Sequence, residues 1–96
     1  MPCHVIGLIH LNDPAAFAEY RNAVAATLTP YGGEAVARAD FAGFLFNERA
    51  MAAPDALALL RFPDTASAKA WADGPEYQAL LEVRGRAMDL NLLAFG

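Results

Sequence analysis

Leu57-Ala58-Leu59-Leu60-Arg61-Phe62-Pro63-Asp64, followed shortly by Ala68-Lys69-Ala70-Trp71-Ala72-Asp73-Gly74-Pro75-Glu76-Tyr77, is the stretch that decides the fold. The first part reads as a strand over Ala56 to Phe62. Leu57, Leu59 and Arg61 share one face, and Ala58, Leu60 and Phe62 share the other. Pro63-Asp64 closes the strand, and Asp64 is the expected N-cap of a helix from Thr65 to Ala72. Ala68 and Trp71, three apart, point inward. Gly74 breaks the helix, with Asp73 as cap and Pro75 as first-turn residue of the restart. Tyr77, Leu80, Leu81, Arg84 and Met88 continue it.

Working outward, Cys3 to Leu11 is an apolar run that stops sharply at Asn12-Asp13-Pro14. Its two faces, Val5, Gly7, Ile9, Leu11 and His4, Ile6, Leu8, His10, both carry apolar residues, which predicts a central strand covered on both sides. Asp13 and Pro14 start a helix in which Phe17, Tyr20, Val24 and Leu28 recur at helical spacing. Pro30 and Gly32-Gly33 end it near Thr29. Glu34 to Ala39 is a second strand, with Ala35, Ala37 and Ala39 opposite Val36 and Arg38. Phe41 to Asn47 either extends it or forms a separate edge segment. Glu48 to Asp55 reads as a loop with Met51 tucked back, and Leu90 to Phe95 is the last strand.

The order is β-α-β-β-α-β, a single α+β domain over residues 1–96 of the ferredoxin-like, split-βαβ kind. Such a fold is a sandwich, a four-stranded antiparallel sheet with both helices on one face. The opposite face then carries Ile6, Leu8, Leu57 and Leu59. At about 25 cal/mol per Å² of apolar surface, covering them contributes many kcal/mol, and a second copy packed sheet to sheet is the simplest cover.

The composition narrows the function classes. Ninety-six residues make one domain with a modest core. Alanine supplies 22 of the residues, so the 56% hydrophobic content overstates the number of large apolar side chains. The net charge is −4 and the pI about 4.9, with scattered basic residues. A nucleic-acid binder needs a basic patch, so no nucleic-acid partner is expected. No apolar run reaches the roughly 18–20 residues of a bilayer span, and no basic-then-apolar leader stands at the N-terminus, so no membrane association is expected. Cys3 is the single cysteine, which fits a reducing cytoplasm.

A set of short pieces in fixed order carries a family resemblance. They are Met1-Pro2 with a strand ending Asn12-Asp13-Pro14, Phe17-Ala18-Glu19-Tyr20-Arg21, Tyr31-Gly32-Gly33, Arg61-Phe62-Pro63, Ala70-Trp71, and Pro75-Glu76-Tyr77-Gln78, with Arg84, Ala87 and the closing strand. On these the chain resembles the bacterial family catalogued as domain of unknown function 1330. Phe41 to Ala53 departs from the pattern. The resemblance implies a dimeric α/β barrel, in which two ferredoxin-like subunits pack their open sheet faces together. Better-known members of that wider group include cofactor-free monooxygenases, lactone isomerases and haem-dependent enzymes. Two positions differ from the family's habit: Arg61 stands where an acidic residue is common, and His10 where an arginine is common. The polarity of a cross-strand acid–base pair is then reversed, and Arg61 needs Glu34, Glu48 or a bound anion as partner.

Candidate site residues follow. His10 is the candidate general base or proton-transfer group, near Arg61 as a ligand contact. His4 shares its strand face. The two histidines lie about 20 Å apart at roughly 3.3 Å per residue, so they cannot chelate one metal. Tyr20, Tyr31 and Trp71 are candidate ligand contacts, each with packing as the competing role. Glu19 and Arg21, flanking Tyr20, read as a solvated helix face. Cys3 has no base beside it in sequence, and a buried thiol is inert. No Cys/His cluster has zinc spacing, so neither a metal nor a cofactor is expected. The expectation is a homodimeric small-molecule-binding protein with a pocket between sheet and helices or partner. The alternatives are a cofactor-free isomerase or monooxygenase using His10, and a non-catalytic dimeric interaction protein.

Overall fold

A computed structural model describes all 96 residues. The chain forms β1 (Cys3–Leu11), α1 (Pro14–Leu28) with a 3-10 turn (Thr29–Tyr31), β2 (Glu34–Asp40) and β3 (Ala56–Phe62). Then come α2 (Thr65–Asp73), α3 (Pro75–Gln78), α4 (Leu81–Ala87) and β4 (Met88–Phe95). This is the ferredoxin-like order, with the second crossover in three helical pieces where two were expected. Asp13 caps α1 by accepting from the amides of Ala15 and Ala16. Asp64 caps α2 through the Ser67 amide at 2.7 Å. Asp73 is no cap: it is the last residue of α2, and extended Gly74 stands at the N-cap of α3. Met88 is the first residue of β4 and buried, not part of the helix.

The sheet order is β2-β3-β1-β4, so β1 and β3 are the two central strands. All three pairings are antiparallel, with Gly7 opposite Ala58 and Ile6 opposite Leu59. A bulge between Ala35 and Ala37 interrupts the alternation expected for β2. Extra residues in one strand cannot pair, and every side chain beyond changes phase. Arg38 consequently pairs with Ala58 and lies over the ring of Phe17, on the helix side of the sheet. Phe41 to Asn47 forms no strand. Phe41 donates its amide to the Asp55 carbonyl and packs on Phe44, closing the loop. Met51 is not tucked in: it is exposed, held by reciprocal bonds between its backbone and the Asn47 amide group.

The core lies between the sheet and the helices. Trp71 is its centre, with ring centroids 4.3 Å from Tyr77 and 5.4 Å from Phe62. The buried indole N–H needs an acceptor. It donates to Thr27 Oγ1 at 2.9 Å, and Thr27 in turn donates to the Val24 carbonyl. The outer face of the sheet, with Ile6, Leu8, Leu57 and Leu59, is only partly covered by the chain itself. No helix is long and apolar enough to cross a membrane.

Candidate functional site

A cavity of about 150 Å³ lies between the helix side of the sheet and α1. Its floor is small by sequence. Gly7 and Ala58 sit opposite each other in the two central strands, and both line the space. A Cβ on Gly7 would meet Leu92 at 3.3 Å, Leu90 at 3.5 Å and Ala58 at 3.6 Å. The far wall is aromatic, from Tyr20 and Trp71, and α1 contributes Phe17, Val24 and Leu28 at helical spacing. An apolar cavity of this size holds a benzene-sized ring.

Few polar groups reach it. The Tyr20 hydroxyl lies 2.9 Å from that of Tyr77. Burial, reinforced by Tyr77, pushes the Tyr20 ionisation far above the ordinary tyrosine range, so the group stays protonated at physiological pH. Arg84 donates to the Tyr77 hydroxyl at 3.0 Å and covers its ring. Arg21 of α1 and Arg38 of β2 complete the lining. Neither is among the sequence-based candidates; Arg21 is exposed, as a solvated helix face requires, and also borders the cavity. Its position one helical turn after Phe17 was the available signal. For Arg38 no local signal existed, because the β2 bulge sets its side.

Of the candidates, Tyr20 and Trp71 meet at the cavity. His4 and Arg61 meet elsewhere, directly opposite each other on the outer face of β1 and β3. Arg61 pairs with Glu34, the first of the expected partners, at 3.7 Å, with both side chains more than half exposed. His10 does not approach Arg61. The register sets it opposite Asp89 of β4, at the other end of β1. The expected convergence of His10 and Arg61 fails because antiparallel pairing matches Arg61 with His4, leaving His10 about 20 Å further along at roughly 3.3 Å per residue. Tyr31 donates to Glu76 at 2.6 Å, away from the cavity. Cys3 is buried in the core. No group of three or more His, Cys, Asp or Glu side chains is arranged to hold a metal ion.

Solved structures share this fold. A protein of unknown function from Rhodopseudomonas palustris aligns with a TM-score of 0.77 at 21% identity, covering 98% of this chain and 80% of that one. SnoaB, a cofactor-independent oxygenase from Streptomyces nogalater, aligns with a TM-score of 0.69 at 14% identity, covering 99% and 91%. A dimeric ferredoxin-like protein of unknown function from Thermobifida fusca aligns with a TM-score of 0.63 at 21% identity, covering 100% and 91%. No curated protein sequence matches the chain. The profile of the Domain of unknown function (DUF1330) matches residues 2–95, and the chain belongs to that family.

Proposed function

We propose that this protein is a homodimer that binds a small, largely apolar organic molecule in the cavity under α1. The observation that carries this reading is the cavity itself, a ring-sized apolar space walled by Tyr20 and Trp71. A well-packed core leaves few voids larger than a water molecule. The test is a thermal-shift and calorimetric screen of the wild type and Ala58→Leu with phenol, indole and benzamide. Binding of a ring probe to the wild type, lost in Ala58→Leu, is expected. No shift with any probe, together with a higher melting temperature for Ala58→Leu, would identify a mere packing void.

Dimerisation through the outer sheet face is the second part of the reading. The accessible surface is 6061 Å² for 10.3 kDa, against about 5,350 Å² for a compact monomer of that mass. The excess of roughly 700 Å² includes the protruding loop, where Leu45 and Phe46 are almost fully exposed, as well as the half-covered outer face. The similar protein from Thermobifida fusca is described as dimeric. In such a dimer the outer face is covered, and His4, His10 and Arg61 become interface groups.

A catalytic version would draw on Tyr20, the lining residue with an ionisable side chain other than the two arginines, whose hydroxyl is turned to Tyr77. There Tyr20, not His10, would be the proton-handling group, because His10 does not line the cavity. The similar oxygenase from Streptomyces nogalater is described as cofactor-independent. Turnover of a bound probe that Tyr20→Phe slows, with binding retained, is the result that separates catalysis from binding.

A further inference from the structure

Arg21 and Arg38 are the only charged side chains on the cavity wall. They come from different elements, α1 and β2, and are brought to one space by the fold. The chain carries 11 acidic residues against 7 basic ones, so carboxylate partners are plentiful. Arg61 and Arg86 have them, Arg84 is committed to Tyr77, and Arg49 and Lys69 are unpaired but away from the cavity. Arg21 and Arg38 have no carboxylate within 4.0 Å. Arg38 is instead seated over Phe17, its guanidinium carbon 5.7 Å from the ring centroid. That stacking fixes the stem and leaves the N–H groups free to donate.

Arg21 and Arg38 are both exposed, so they stand at the solvent side of the cavity, where a charged head group of a bound molecule can stay hydrated. The two concentrate positive potential at one place in a protein of net charge −4. Guanidinium groups recognise carboxylates through paired, charge-assisted hydrogen bonds. From this we infer that the ligand is a small organic carboxylic acid, its ring or branched body against Tyr20 and Trp71 and its carboxylate between Arg21 and Arg38. The inference rests on the proposed binding function and adds the chemical class of ligand.

The experiment is isothermal titration of the full chain with benzoate and with benzamide, its uncharged near-isostere, in the wild type and in Arg21→Gln, Arg38→Gln and the double variant. Circular dichroism checks that each variant is folded. Benzoate is expected to bind the wild type at least about tenfold more tightly than benzamide, and added salt weakens only benzoate. In the double variant benzoate falls to the level of benzamide, whose own affinity is unchanged. Equal binding of the two probes by the wild type leaves the cavity a binding site and overturns the carboxylate assignment. A preference for benzoate that survives in the double variant overturns the role of the two arginines. If neither these probes nor phenol nor indole binds, the binding function itself falls.

Discussion

The hydroxyls of Tyr20 and Tyr77 meet at 2.9 Å, although the residues are 57 positions apart. Arg84 donates to the Tyr77 oxygen, so Tyr77 serves two neighbours and Tyr20 one. Removing a shared group leaves more buried atoms unpaired than removing a terminal one. Tyr77→Phe is expected to cost about 2 kcal/mol and Tyr20→Phe about 1 kcal/mol, each lost buried hydrogen bond counting about 1 kcal/mol. Urea denaturation of both variants measures it. Equal losses would contradict this order of dependence.

Tyr31 and Glu76 form a pair whose contribution has limits on both sides of neutrality. The hydrogen bond to Glu76 raises the ionisation of Tyr31, and the same bond lowers that of Glu76. A depressed carboxyl stabilises the fold above its ordinary range and loses that contribution as pH falls through the folded value. A raised phenol stabilises below its ordinary range and loses the contribution as pH rises through its folded value. Tyr31→Phe is therefore expected to flatten the stability profile at its acidic and alkaline ends and raise Glu76 toward the ordinary glutamate range, its own backbone hydrogen bond still holding it down. Carboxyl carbon shifts followed by NMR through an acid titration measure the second effect. An unmoved Glu76 titration in the variant would rule out the pair as its cause.

Two glycines are expected to respond oppositely to alanine. At Gly33 a Cβ would lie 2.5 Å from Phe62, which is buried against Trp71 and has nowhere to go. Overpacking of this kind costs roughly 1–3 kcal/mol. At Gly85, inside α4, nothing lies within 4 Å. There Gly→Ala stabilises by about 0.5–1 kcal/mol, through helix propensity and a less flexible unfolded chain. Thermal melts of Gly33→Ala and Gly85→Ala should move to opposite sides of the wild type.

Leu59 lies opposite Ile6 in the middle of the outer sheet face. A carboxylate there opposes sheet-to-sheet packing while leaving the inner core untouched, because burying an unpaired charge is costly. Sedimentation at micromolar concentration is expected to give a dimer for the wild type and a monomer for Leu59→Asp. A wild-type monomer would remove the proposed interface.

Local chemistry made most of the elements legible. Asp13-Pro14 and Asp64 begin helices because a carboxylate accepts from orphan amides whatever the rest of the chain does. The two-residue period of Cys3 to Leu11 and of Ala56 to Phe62 gave the faces of the central strands; burial follows that phase along β1 and over Leu60 to Phe62, while Ala56 to Leu59 are all half-buried. The alanine-rich β2 carried no such signal. Its bulge is seen only in the pairing with β3.

By itself, then, the sequence determined the order of elements, the Asp13 and Asp64 caps and which residues share each face of the central strands, because those properties depend on near neighbours along the chain. The tertiary structure alone decided what meets across the sheet. Antiparallel register set His4, not His10, against Arg61. It set Gly7 against Ala58, opening the cavity beneath α1. Together with the β2 bulge it carried Arg38 to the same space as Arg21. Register is a choice among long-range pairings, decided by how the whole core packs, and a one-residue slip turns every side chain to the other face.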